Sequence, residues 1–423
     1  MSSPTKIISL ATTIAEATQI VNTYFTRLNL PTPSFDISGP ARIFIPPNEK
    51  EVTKAYTDVL SATMELHNLM LGPTAVLMGI SPVDSLSLHC IYTYKIAHAF
   101  PIDKEATFEQ ISEKCGLNLI DTRRILRHAM MNHIFQETRP GFVAHTAASK
   151  LLATNPLVED FVGIASEERF QAAAYTTQAL QKFGYAKEPN QSGFSIGHQT
   201  TKGLYEELRA HPSRGQRWAN AMSAYASKIP LAPLINGYDW TGLGSATIAD
   251  VGGGYGPVSI GLAESFPDLR FIVQDFEDVV ADGPAHVPLE ISSRISFMPY
   301  NILTLQPLRS IDVLFFRAVL HNWTDNYCIQ ILKNQIPALK RGSRLIIVEP
   351  RLTEPGELDW VEEKRLRTMD LNMLSYFGSR ERSVGDWEGI FKEADARFEL
   401  GTVLYLGNGG GGNCLMEVIW KGE

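Results

Sequence analysis

ATIADVGGGYGPVSIGLAESFPDLRFIVQDFEDVV, residues 246–280, reads as a buried strand, a glycine-rich turn, a helix and a second strand ending at Asp275. That is one βαβ unit. Gly252, Gly254 and Gly256 alternate, with Gly253 added, so the backbone can turn sharply and approach a ligand where a Cβ would intrude. Dinucleotide sites favour G-x-G-x-x-G, which seats a pyrophosphate on the helix N-terminus; here the glycines run G-x-G-x-G and Asp250 stands just ahead of them. A carboxylate there repels phosphate and attracts an ammonium or sulfonium. Asp275, closing the second strand, is placed to accept both hydroxyls of a ribose. An adenosyl group with a positive charge and no phosphate meets both demands.

Downstream the alternation continues: IDVLFFRAVL as a strand, HNWTDNYCIQILKNQIPALKRG as a helix capped by Thr324, and SRLIIVEP as the next strand. His321 therefore sits just past the carboxyl end of a central strand, the edge at which open α/β sheets bind ligands. A lone histidine is more often structural than catalytic, but Glu349 ends the next strand on the same rim and Glu381, in SRERS, follows a helix. Either carboxylate could accept the ring N–H and fix the tautomer that leaves the other nitrogen as a base. Imidazole near pKa ~6.5 is a weak base for a phenol near ~10, yet adequate when the proton leaves as a sulfonium methyl is attacked.

Upstream of this α/β part the pattern is different. Residues 1–105 read as helical; in EVTKAYTDVLSATMELHNLMLG, Val52, Ala55, Tyr56, Val59, Leu60 and Met64 recur at helical spacing on one face, and PTPSFDISGPARIFIPP, residues 31–47, breaks the first helix from the next. Residues 106–155 outline a winged helix: a helix opened by Thr107 and Gln110 in capping-box spacing, a second helix with Asp121 as N-cap, and a Pro140-Gly141 turn between two short strands. Arg123, Arg124, Arg127 and His128 on the second helix are better read as solvated charges than as a DNA-reading face. Residues 156–240 are helical again, with a loop-like stretch, 184–203, suited to border a pocket. The expected fold is thus α/β: a Rossmann-like domain over 241–423, preceded by an all-α region carrying a winged-helix module.

Composition narrows the partners. With 423 residues, 44% hydrophobic and 20% charged, the chain can bury two cores; a formal charge of -8 gives no global field for nucleic acid or an acidic membrane. The opening segment is broken by Thr12, Thr13, Glu16 and Thr18 and reads as a helix rather than a secretory signal; no lipidation signal stands out, and a soluble, cytoplasmic protein is expected. Cys90, Cys115, Cys328 and Cys414 are scattered without a CxxC pair and read as reduced core thiols; no HExxH pair supports a metal site, and none is expected.

The motifs DVGGGYG, QDFEDVV, RAVLHNWTD, LIIVEP and RERS, in this order and spacing, resemble the plant and fungal caffeate-type O-methyltransferases, most closely the fungal secondary-metabolite group. RRILRHAMMNHIF, PGFVAHTAASKLLA and MDLNML are similar to that group as well, so the resemblance spans almost the whole chain. It implies S-adenosylmethionine as cofactor, held by Asp250, Gly252, Gly254, Asp275 and Phe276, with Asn301, Ile302 and Arg317 near its adenine and methionine portions. It implies His321 as general base flanked by Glu349 and Glu381, and His133, Phe170, Phe194, His198 and Asn322 along the path of a small hydroxylated acceptor. It also implies a homodimer through exchanged N-terminal helices and a winged helix that does not bind DNA. Two positions depart from the family pattern: Asn301 and Asn322 stand where it usually has acids. An amide oxygen can still accept from an adenine amino group, so Asn301 weakens that contact rather than removing it.

Some fungal members of this resemblance group bind S-adenosylmethionine without transferring its methyl and direct dehydrations or pericyclic cyclisations instead. Retention of His321, Glu349 and Glu381 favours methyl transfer, since a shape-driven cyclase has less need of a base beside the donor. A winged-helix regulator or a non-catalytic partner subunit fits less well with the acidic charge and the intact catalytic set.

Overall fold

The computed structural model describes residues 5–46, 48–226, 231–406 and 412–422. Its backbone separates into two units, one formed by Met1–Gln171, Leu208–Ser227 and Asp359–Val361, the other by Ala172–Glu207, Lys228–Leu358 and Glu362–Glu423.

In the first unit, helices Lys6–Arg27 and Lys50–Met78 pack together around Tyr24, Phe25 and Val52. The second of them bends at Gly72, whose φ of 73° is non-helical, because the following Pro73 lacks an N–H and disfavours helical geometry before it. Of the apolar stripe expected to share one face, Val52 and Ala55 are buried, while Leu60 and Met64 are exposed. The stripe is wider than the neighbouring helix covers.

The winged-helix outline is present as β1 (Ala106–Thr107), helix Phe108–Cys115, helix Leu119–Met131, β2 (Gln136–Arg139) and β3 (Phe142–Ala144), with strand order β1-β3-β2. The Thr107/Gln110 capping box forms, and Gly141 at φ 88° makes the hairpin turn. The cap of the second helix is Asn118, not Asp121: Asn118 Oδ1 accepts the Asp121 N–H at 2.9 Å. The helix starts earlier than read, so Asp121 falls in its first turn, where a carboxylate favours the N-terminal dipole. Phe108, Ile111, Leu126, Ala129, Phe135 and Val143 fill this module's core.

The second unit carries a seven-stranded sheet of β4 (Thr247–Val251), β5 (Arg270–Asp275), β6 (Ile295–Pro299), β7 (Ile311–Arg317), β8 (Leu339–Pro350), β9 (Phe398–Tyr405) and β10 (Asn413–Trp420), in the order β6-β5-β4-β7-β8-β10-β9. The first five run parallel and β10 lies antiparallel to both neighbours. Both faces are covered, and successive strand residues alternate between two cores: Ala249, Val251, Leu314, Phe316, Leu345 and Ile347 in one, Ile248, Val313, Phe315, Ile346 and Val348 in the other. Chain order reverses between β4 and β7, the kind of switch point at whose carboxyl ends open α/β sheets bind ligands.

Helix Asp325–Gln335 follows Thr324 as expected, but the Thr324 hydroxyl does not cap it; it donates to the Lys187 carbonyl at 3.3 Å and ties down the 184–203 stretch. All four cysteines are free; Cys328 and Cys414 are core residues, whereas Cys90 and Cys115 are only half-buried.

Candidate active site

After β4 the chain turns through Gly252, Gly254 and Gly256 at φ 76°, 59° and 77°, values that an L side chain rarely adopts. A Cβ on Gly252 would stand 2.8 Å from Val319 Cγ2, while one on Gly254 would meet nothing within 4 Å among the described residues. The turn is pinned by the Gln274 carbonyl, which accepts the N–H of Gly252 at 2.7 Å and of Gly253 at 3.2 Å. The Asp275 carboxylate takes one backbone N–H on each oxygen, from Gly254 at 3.0 Å and Phe276 at 2.8 Å. Burial pushes its pKa up, partly offset by those two N–H groups.

Asp250 is buried, and its Oδ2 accepts from Ser259 Oγ at 2.7 Å. Burial raises its pKa to about 6 against the pull of Ser259 and of the Arg317 charge. Asn301, beyond β6, turns its side-chain oxygen back onto the Leu303 N–H at 3.1 Å, and Ile302 packs against the core.

His321 lies in a short 3₁₀ turn, Leu320–Asn322, past the end of β7. Its ring is buried, with Nδ1 2.9 Å from Glu381 Oε1 and 4.0 Å from Glu349 Oε2. The two carboxylates thus divide the work that the sequence left open between them. Glu381 is the ring's hydrogen-bond partner, while Glu349 Oε1 accepts the backbone N–H of Leu320 at 2.7 Å and Val319 at 3.1 Å and braces the turn. Burial alone would lower the imidazole pKa; the charges of Glu381 and Glu349 reverse this and raise it to about 9. Burial pushes the Glu349 carboxyl upward.

The turn is held from the other side too. Ser379 Oγ lies 2.7 Å from the carbonyl oxygens of both His321 and Trp323, and the fully buried Arg382 donates to the Trp323 carbonyl at 2.7 Å and to Asp325 at 2.8 Å.

The proposed acceptor residues divide between the two units. His133 and Phe170 belong to the first unit, where His133 stacks on Phe35 with centroids 3.6 Å apart at the wall of a cavity of about 430 Å³. Phe194 is fully buried, with the His198 ring 4.3 Å from its own. Asn322 stands beside the base and donates to the Ala318 carbonyl at 3.4 Å. Tyr205, marked by no motif or spacing, joins this group. Its ring packs 6.2 Å from Trp323 and 5.4 Å from Phe377, and the Asn322 side chain is near enough to pull its hydroxyl's pKa down against burial. Burial, with the charges of Asp275 and Glu349, lifts that hydroxyl above the ordinary phenol range. An aromatic residue opening a helix after a glycine carries no signal of such a position.

In the winged-helix module, Arg123, Arg124, Arg127 and His128 face Glu109, Asp121, Glu137 and Asp84 respectively, so their charge is locally answered.

Residues 185–397 match the model of a family described as O-methyltransferase domain. Over 423 aligned residues, 99% of this chain and 88% of the relative, the chain is 36% identical to the grayanic acid biosynthesis cluster O-methyltransferase of Cladonia grayi. Among solved structures it is similar to OxaC in complex with SAH and oxaline, with a TM-score of 0.77 and 21% identity, covering 98% of this chain and 100% of that one. It is similar also to the LepI complex with SAM, at 0.69 and 21%, covering 97% and 99%. At these identities the two structures speak for the fold.

Proposed function

This chain belongs to the O-methyltransferase family, and from that premise we propose that it transfers a methyl group from S-adenosylmethionine to a hydroxyl oxygen of a small aromatic or polyketide-type secondary metabolite, with His321 as general base. The observation that carries the proposal is the buried His321–Glu381 pair at 2.9 Å, past the strand-end rim where the glycine turn also lies.

The glycine turn fits such a donor. The space above Gly254 is open, Asp275 keeps lone pairs for ribose hydroxyls after accepting two N–H groups, and Asp250 offers a negative charge beside Arg317. Phe276, Asn301 and Ile302 would complete the binding set. When bound, the donor supplies an electrophilic methyl group on a sulfonium. The chain's own task is then proton management and orientation. Glu381 holds Nδ1, which leaves Nε2 to take the hydroxyl proton of the acceptor, and Glu349 stabilises the resulting imidazolium while fixing the backbone that bears it. Asn322 and Tyr205 would orient the acceptor beside the ring.

A second chemistry draws on the same ring: a histidine that keeps its proton up to about 9 can serve as a general acid in a dehydration or cyclisation. Mass spectrometry of incubations with phenolic and polyketide precursors, with and without S-adenosylmethionine, separates the two. Products heavier by one methyl group are expected; isomers or dehydrated products alone would refute methyl transfer.

A homodimer through the N-terminal helices and a cytoplasmic location belong to the same proposal. Met70, Leu77, Met78 and Ile80 are 67–80% exposed, an apolar face that a second copy would cover. Among the described residues no single helix is long and apolar enough to cross a membrane.

A further inference from the structure

Gln274, Gln306 and Gln335 are fully buried and take no part in the chemistry above. Gln274 Nε2 donates to Gln306 Oε1 at 2.8 Å, and Gln306 Nε2 reaches both Gln274 Oε1 and Gln335 Oε1 at 2.9 Å. Gln335 Nε2 donates in turn to the Tyr300 hydroxyl oxygen at 3.1 Å, and that hydroxyl donates to the Thr304 carbonyl at 2.9 Å. At the other end, the Gln274 backbone carbonyl accepts the N–H groups of Gly252 and Gly253, and the Asp275 carbonyl accepts the Tyr300 N–H at 2.8 Å.

Three buried primary amides are a costly way to fill a core. Leucine or methionine would avoid the desolvation penalty, and the amides are tolerable only because they satisfy one another. What amides add is direction: each bond fixes one segment against the next. The segments so joined are the glycine turn, through the Gln274 carbonyl, the end of β5 and the 300–304 stretch that carries Asn301 and Ile302. They come from places far apart in sequence, and each supplies part of the donor site proposed above.

We infer that the Gln274–Gln306–Gln335 network holds the glycine turn and the 300–304 stretch in mutual register before the donor arrives, and that Gln306 is a positioning residue for donor binding. This rests on the methyl-donor reading of Asp275 and Asn301. Gln306→Met keeps the volume but strands the amide of Gln274 and an acceptor on Gln335; Gln274→Met with Gln306→Met removes the central amide pair together.

Backbone hydrogen exchange, read by mass spectrometry in the ligand-free protein, tests the coupling. Gln306→Met should speed exchange about tenfold both at Gly252 and Gly253 and across 300–304. Wild-type rates at the glycine turn would overturn the inference. Calorimetric titration with S-adenosylmethionine should show binding about tenfold weaker in Gln306→Met, and still weak in the double variant even as its melting temperature returns toward wild type. Affinity recovering in step with stability would reduce the network to packing and overturn the positioning role. Should wild type itself fail to bind S-adenosylmethionine, the donor reading falls, while the exchange rates still decide whether the segments are coupled. If Gln306→Met does not fold, Gln335→Met cuts the arm toward Tyr300, its bond from Gln306 included, and leaves the Gln274–Gln306 pair in place. Faster exchange confined to 300–304 then supports the network, and unchanged exchange there overturns it.

Discussion

Opposed forces meet on the His321 ring. Burial disfavours its charged form, the neighbouring glutamates favour it, and the glutamates win, leaving the imidazole with a pKa of about 9. A base must be neutral to accept a proton, so kcat/KM should climb with pH from neutrality and level off near 9. In Glu381→Gln the larger of the two raising charges is gone, and the rise should move to lower pH. A profile flat between pH 6 and 10 would exclude His321 as the base. The sign for stability is opposite: the folded state holds this proton more tightly than the unfolded chain, so the contribution is complete below about 6.5 and is lost as pH rises through about 9. Asp250 gives a second, independent titration. With its pKa at about 6 in the ligand-free protein, a cationic donor should bind about tenfold more tightly at pH 7 than at pH 5, as calorimetry would show. Equal affinity at the two values would mean that Asp250 does not face the donor's charge.

Local elements follow local rules, and here the sequence was most legible. The glycine turn, the Thr107/Gln110 capping box and the Pro140-Gly141 hairpin depend on residues a few positions apart, and all three form. Asn118 and Asp121 are both good caps, and nothing short of the backbone path decides between them. Asn118→Ala should therefore cost about 1 kcal/mol of stability in denaturant unfolding, a loss that Asp121→Ala should not match. Equal losses from the two would put the cap back in question. Legibility faded where contacts are long-range. The end of β8 puts Glu349 near His321, but that Glu381 is the one to meet Nδ1 depends on the path of the chain after the Trp360–Phe377 helix. Tyr205 lies more than a hundred positions from Asn322, and the burial of Phe194 is set by its tertiary surroundings rather than by nearby sequence.

The molecule as a whole is woven rather than strung. Residues 172–207 belong with the sheet that begins at Thr247, ahead of the change in sequence character near residue 240, and 208–227 return to the first unit. The apolar face around Met78 and Ile80, on the first unit, bears on assembly. Ile80→Asp should shift light-scattering mass from a dimer toward one chain; a wild type already monomeric at micromolar concentration would refute the dimer. The interleaving also has a consequence on the ribosome. When residue 171 leaves the exit tunnel, the N-terminal unit still lacks 208–227 and 359–361, and at ~5–20 residues per second it waits several seconds for the first of these. Helix Pro156–Ile164, which packs against helix Pro212–Ala226 in the finished fold, lacks that cover throughout the interval.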